Sequence, residues 1–303
     1  MPLYQISTTY DYDAGDNSLP IESADPAMMS RATSDFCFDA RVAEGFATGV
    51  LPAAGAAIPD TGLVSLIPGD MPLLSRTGSQ HIATPNNLAS KPDYIGGGLD
   101  QSAGRSGMLV SRQGLNSYDV GNPIAEGFRD HLLIAWLRCP TAAPAAIQGI
   151  IGSGAGAVGT SGNHFGFYFD TGGNIREASG AYPALAAQTL GGALLQVAVL
   201  CEYDTVADTM ATTCYLNGAI SSARATWANH KPSQHSVVAQ APNAGGSALR
   251  MGAGGGYGSW TGRILRAERL FTKYPNPTGG GFATLDALAH VQADYTANAV
   301  RLA

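Results

Sequence analysis

From His131 onward the chain carries short apolar runs separated by Gly, Asn and Asp, and these runs lack the three-to-four residue spacing of a helix. HLLIAWLRC, from His131 to Cys139, is apolar on both alternating faces and predicts a strand covered on both sides. HFGFYFD sets Phe165, Phe167 and Phe169 on one face and Tyr168 and Asp170 on the other, and TGGN (Thr171 to Asn174) predicts the turn into IREAS. LLQVAVLCEYD, from Leu194 to Asp204, reads as a long strand, apolar until Glu202, which TVAD turns back into MATTCYL. In CYLNGAISS the pair Asn217-Gly218 predicts a two-residue turn with positive φ at both central positions. That turn sets Leu216 against Ala219, Tyr215 against Ile220 and Cys214 against Ser221.

Further on, Gly252, Gly254, Gly255, Gly256 and Gly258 predict a hairpin loop that carries Tyr257 and Trp260. Its second strand is GRILRAERLF, with Leu265, Ala267 and Arg269 alternating with Ile264, Arg266 and Glu268. Upstream, DFCFDARV opens the globular part, GVLPAAGAAIPDTG is a turn-rich connection, and LASKPDYIGGGLDQSAGRSGMLVSRQG predicts short strands between glycine turns. Residues 1–35 read as an extended arm. Gly15, Pro20 and Pro26 interrupt it and no periodic apolar face appears. Its large side chains Tyr4, Ile6, Tyr10 and Tyr12 are candidates for contacts with neighbouring subunits. The one helical pattern covers about 284–297. Thr284 is its N-cap, and Leu285, Leu288, Gln292 and Tyr295 form a stripe beside Ala289 and Ala299. The expected organisation is therefore an arm over 1–35 and an all-β sandwich over 36–303, closed by that helix.

Charge changes the picture more than size does. Asp, Glu, Lys and Arg make up 13% of the 303 residues, against about 25% in an average soluble protein. Lysine occurs only as Lys91, Lys231 and Lys273, so arginine supplies fourteen of the seventeen basic residues. Interfaces favour arginine over lysine, which points to an assembled particle; a Ser/Thr/Gly-surfaced β protein would share the composition. The net charge of −6, with no basic run, argues against nucleic acid or an anionic membrane as partner. No apolar stretch approaches the ~20 residues that span a bilayer, and the N-terminus lacks the pattern of a secretory signal. Cys37, Cys139, Cys201 and Cys214 show no CxxC spacing and read as buried free thiols of a protein assembled in cytosol, a Cys201–Cys214 disulfide being the alternative.

In their order, HLLIAWLRC, HFGFYFDTGGNI, LLQVAVLCEYD, CYLNGAI and LRMGAGGGYGSWTGRILRAERLF resemble the core segments of the laminin-G-like, concanavalin A-like lectin/glucanase superfamily. The resemblance covers residues 131–271 and extends back toward 35, leaving out the arm. It implies a jelly roll of two curved antiparallel sheets, a fold that hosts lectins, glycosidases and interaction modules alike.

The enzymatic branch that this resemblance brings to mind has three acids along one strand, which supply the two carboxyl groups, about 5–5.5 Å apart, that retaining glycoside hydrolysis uses. Glu202 and Asp204 begin such a set, but Val206 and Ala207 stand where the third acid is needed and Asp208 follows later. No G-x-S-x-G elbow is present. His81, His131, His164, His230, His235 and His290 are dispersed, and Pro232 interrupts HKPSQH. The run GAGGGYG lacks the Lys-Ser/Thr of a phosphate loop. No cofactor is expected; a Ca²⁺ site of the kind some members of the resembled superfamily carry would draw on Asp170, Asp204 and Asp208. For glycan binding, Tyr257 and Trp260 are the stacking candidates, with Asn163 and His164 on another loop; packing of Trp260 into the sandwich edge is the competing reading.

These observations lead to a non-enzymatic virion structural protein, a bacteriophage capsid decoration or tail component assembled in the host cytoplasm. Its expected partners are itself and other virion proteins. The alternatives are a carbohydrate-binding module that engages a cell-surface glycan, and a laminarinase-type glycoside hydrolase.

Overall fold

The computed structural model describes residues 33–67, 80–102, 104–112, 130–153, 165–177, 190–204, 206–227, 249–252, 257–275 and 282–303. The chain is an all-β sandwich of two antiparallel sheets with a C-terminal helix. The first sheet contains β1 (Ser34–Asp39), β4 (Asp93–Ile95), β5 (Gly98–Asp100), β7 (His131–Arg138), β11 (Leu194–Asp204), β12 (Thr209–Leu216), β13 (Ala219–Trp227) and β15 (Arg263–Phe271). Its order is β13-β12-β11-β7-β15-β5-β4, with β1 also pairing β15. The second contains β2 (Leu63–Val64), β3 (His81–Pro85), β6 (Met108–Arg112), β8 (Gln148–Ser153), β9 (Phe165–Phe169), β10 (Ile175–Glu177) and β14 (Arg250–Met251), in the order β10-β9-β8-β14-β6-β3-β2. A small pair, β16 (Lys273–Pro275) and β17 (Phe282–Thr284), leads into α1 (Ala287–Leu302).

Between the sheets lies one apolar core. Leu133, Ala135 and Leu137 of β7 meet Phe165, Phe167 and Phe169 of β9 there. The other face of β7, with Leu132, Ile134 and Trp136, packs under α1 together with Val291 and Leu302. This double cover explains why β7 is apolar on both faces. The Asn217-Gly218 turn forms as expected, with φ of 49° and 81°. Tyr215 faces Ile220, but Cys214 faces Ser222, because a bulge shifts the register by one residue.

The glycine-rich segment departs from the expected hairpin. β14 pairs with β6 and β8, whereas β15 lies in the opposite sheet between β7 and β1. The segment between them is a crossing from one sheet to the other. It is pinned where Gly258 donates to Ile147 O at 3.0 Å and where Thr261 donates from N and Oγ1 to Gln148 Oε1 at 3.1 and 2.9 Å. The helix differs too. Thr284 belongs to β17, and Asp286 is the N-cap, accepting from Ala289 N–H at 3.1 Å. The buried face is Ala287, His290, Val291, Asp294, Asn298 and Leu302, while Gln292 is exposed.

Three of those buried positions are polar because α1 docks on charges. Arg266 of β15, with no side-chain exposure, meets Asp39 at 3.3 Å, Glu268 at 2.8 Å and Asp294 at 3.7 Å. His290 lies 3.1 Å from Glu268, and Arg301 donates to Asp39 at 2.6 Å. Trp136 Nε1, Gln196 Nε2 and Asn298 Nδ2 donate to the Asp294 carboxylate at 2.7–2.8 Å. Arg269, farther along β15, is buried between the rings of Phe36 and Phe271 and pairs with Asp35. Arginines read as interface-like from composition thus include two that neutralise interior carboxylates.

Candidate functional site

The two outer faces of the sandwich differ. α1 lies over β7, β11 and β13 on the outer side of the first sheet. On the second sheet, strand alternation sends Leu63, Ala83, Met108, Val110 and Met251 into the core. Their neighbours Val64, Ile82, Thr84, Leu109, Ser111 and Arg250 are half-buried on the opposite side. Cross-strand pairing aligns one row over five strands: Thr84 opposite Leu109, Leu109 opposite Arg250, Arg250 opposite Gly152 and Gly152 opposite Gly166. The last two positions contribute no side chain. Gly166 holds φ +123°, and a Cβ there would run into the carbonyl oxygen of Ile151. The row therefore ends in backbone without side chains, half-buried at Gly152 and buried at Gly166.

Beyond the glycines stands an aromatic pair. Tyr168, two residues after Gly166 on β9, stacks on Tyr257 with ring centroids 6.1 Å apart and planes 20° from parallel. Burial pushes the Tyr168 phenol up to about 12 against the pull of Arg176, so its hydroxyl stays protonated as a donor. Arg176 lies opposite Tyr168 on β10. The turn after β9 fixes this corner: Asp170 Oδ1 accepts the backbone N–H of Gly172 and of Asn174, each at 2.9 Å, and Oδ2 accepts Arg176 Nε at 2.5 Å. Burial raises the Asp170 pKa, but the hydrogen bonds from Arg176 and Asn174 outweigh it and hold the carboxyl below its ordinary value.

Of the glycan-stacking candidates, Tyr257 is half-buried beside this face. Trp260 is not available. It has no exposure, packs edge-on against Phe169 at 5.1 Å and belongs to the core. The pattern before TGRI delivers it inward because Gly262 and Thr261 bring the crossing segment tight against the end of β7 and the start of β8. Asn163 and His164, and the arm residues Tyr4, Ile6, Tyr10 and Tyr12, lie outside the described residues.

The acids considered for chemistry have other partners. Glu202 pairs with Arg224 of β13 at 2.7 Å. Asp204 Oδ1 accepts the N–H groups of Val206 and Ala207, closing the turn, and Asp170 is taken up as above. Among the described residues no group of three His, Cys, Asp or Glu side chains is placed to hold a metal ion. No helix there is long and apolar enough to cross a membrane. The four cysteines are free and buried. Val199, not Cys201, stands opposite Cys214, so those two thiols are diagonal neighbours in the sheet.

Sequence reading missed Arg250, Gly152, Gly166 and Tyr168 as members of one face. The available signal was glycine in two apolar strands, IIGS and FGFYF, at positions that pair with each other across the strands.

The chain matches no protein-family model and no curated protein sequence. Solved structures similar to it include Trypanosoma rangeli sialidase, at 12% identity and a TM-score of 0.45, covering 82% of this chain and 34% of that one. A second is the carbohydrate-binding module CBM40 of Ruminococcus gnavus IT-sialidase bound to α2,6-sialyllactose, at 16% identity and a TM-score of 0.33, covering 55% of this chain and 83% of that one. The chain thus spans about a third of the length of the sialidase.

Proposed function

We propose that this protein is a carbohydrate-binding module that holds a glycan beside the outer face of its seven-stranded sheet, against Tyr257, which stacks on the buried Tyr168. The observation that carries the reading is Tyr257, half-buried beside this face and held in place by its stack on Tyr168. Aromatic faces offer apolar area at small entropic cost while their hydroxyls keep hydrogen-bonding capacity. The Asp170–Asn174–Arg176 corner adds polar groups whose positions are already fixed, which lowers the ordering cost of binding.

The role is binding without catalysis: Glu202 and Asp204 serve an ion pair and a turn. The glycan reading stands whether or not the chain belongs to a virion. That setting rests on low charge and on an arm outside the described residues, neither of which bears on this face.

The test is a glycan array probed with the full chain and with Tyr257→Ala. Binding to at least one oligosaccharide class, lost in the variant while its melting temperature holds, is the expected result. An array without hits, or hits unaffected by Tyr257→Ala, overturns the reading.

A further inference from the structure

We infer that the acidic arm of this chain docks on its own body, with segment 11–25 held by a group of arginines at the β4 edge of the first sheet. Charge is segregated along the sequence. Asp11, Asp13, Asp16, Glu22 and Asp25 fall within residues 1–30, which hold no Lys, Arg or His. Without those five acids the chain has 18 acidic against 17 basic residues, so the arm carries nearly all of the net charge of −6. Outside the described residues the other acids are Asp70, Asp119 and Glu126, with Arg76 and Arg129 in the same two segments, which leaves those segments close to neutral. The contact concerns the first sheet, so it is independent of the glycan reading.

The matching cations meet at one turn. Gly96 and Gly97 join β4 to β5 with φ of 55° and 74°. A Cβ on Gly96 would run into the Arg263 guanidinium, and one on Gly97 into the side chain of Arg41. Both arginines are half-buried, and among the described residues neither side chain takes part in an ion pair or hydrogen bond. Glu44, three residues after Arg41, and Asp100, opposite Arg263, do not pair with them. Asp39 is already shared by Arg266 and Arg301. Arg138, opposite Arg263 on β7, donates only to backbone oxygens of Gly192, Leu302 and Ala303. Arg250 also lacks an acid, but its cross-strand neighbours are Leu109 and Gly152, so no second cation stands beside it.

Length and chemistry both suit the arm. β1 runs from Ser34 toward Arg41, so chain arriving at Thr33 must return about 26 Å at the rise of a strand. The eight residues from Thr33 back to Asp25 span about 26–29 Å when extended, and every residue upstream adds slack. Tyr12, Leu19 and Ile21 lie among the acids. Beside the arginine turn stand exposed apolar side chains to receive them: Ile95, and Val50 and Leu51 on the loop that Gly55 ties to Tyr94 O. A guanidinium offers parallel N–H donors that match a carboxylate's two oxygens. The tether sets the local concentration of the segment at about the millimolar level, so individually weak pairs suffice.

The test is paramagnetic broadening in the isotope-labelled full chain bearing Ser18→Cys with a nitroxide on that thiol, the four native thiols being buried. The amide signals of Gly96 and Gly97 are expected to lose most of their intensity, relative to the same sample with the nitroxide reduced. They regain it in 1 M salt, where the Debye length falls to about 3 Å, and in the double variant Arg41→Gln, Arg263→Gln. Should that variant fail to fold, Asp11→Asn, Asp13→Asn, Asp16→Asn, Glu22→Gln and Asp25→Asn together, which leave the body unchanged, restore the signals instead. Undiminished Gly96 and Gly97 signals, or a loss that survives either set of substitutions, overturns the inference. An equal loss on isotope-labelled chains that carry no nitroxide, mixed with spin-labelled ones, also overturns it, because the contact then belongs to a neighbouring copy.

Discussion

Gly218, the second residue of the Asn-Gly turn, faces Tyr295 of α1 so closely that a Cβ on it would lie 3.2 Å from the Cβ of that tyrosine. The turn and the helix are thus one packing unit, joined further by Gln196, which accepts Gly218 N–H at 2.8 Å and donates to Val291 O at 3.0 Å. Gly218→Val must place a β-branched residue at φ +81° and push the helix away. The expected loss is about 2 kcal/mol or more, read as a lower denaturant midpoint. A variant as stable as the parent would show that the helix does not depend on this turn.

Stability should depend on pH through the charges under α1. Burial, with the nearby Glu268 carboxylate, raises the Asp294 pKa from 3.8 to about 6. The folded state then binds the proton more tightly than the unfolded chain, so the contribution is full below pH 3.8 and lost as pH rises through about 6. Burial lowers the His290 pKa, but the hydrogen bond and charge of Glu268 outweigh it, and the net rise above 6.5 adds a further loss at pH values above that. Asp39, Glu268 and Asp294 face Arg266 and Arg301, and the proton on His290 completes the balance. Asp294→Asn should flatten the wild-type decline between pH 4 and 6 in denaturant midpoints measured across that range. Parallel profiles for the two proteins would contradict this.

The two aromatics of the crossing segment should separate cleanly. Trp260→Ala removes a fully buried ring from the core and should cost about 3–5 kcal/mol. Tyr257→Ala, at a half-buried site, should leave the melting temperature within a few degrees of the parent and abolish glycan retention. Thermal melts paired with affinity electrophoresis distinguish these outcomes.

The thiols should be inert in the folded protein. Burial pushes the Cys201 and Cys214 pKa values well above the ordinary thiol range, leaving negligible thiolate at neutral pH. An exposed-thiol reagent should label Cys37, Cys139, Cys201 and Cys214 only after denaturant is added, and a reductant should leave the melting curve unchanged. Rapid labelling of the native protein would refute their placement.

Much of the architecture was legible because strand alternation and turn chemistry are local. The Asn217-Gly218 turn and the apolar phase of β7 and β9 needed no long-range information. The glycine-rich crossing was misread for the same reason: Gly252 and Arg263 are close in sequence, and nothing local says that their strands belong to opposite sheets. Of the helix stripe, Leu285, Leu288, Tyr295 and Ala299 pack against the core beneath α1 as expected; Gln292 does not, and His290, Asp294 and Asn298 were missed because they look like surface residues until Arg266 is known to lie beneath them. The row of Thr84, Leu109, Arg250, Gly152 and Gly166 gave no signal as one face, since its members lie on five different strands.

The most direct test of the account is an amide chemical-shift titration of the isotope-labelled chain with an array-selected oligosaccharide. The account predicts saturable shifts that cluster at Tyr168, Asn174, Arg176 and Tyr257. Shifts centred on Glu202 and the helix side of the sandwich, or none on this face at saturating sugar, would contradict it.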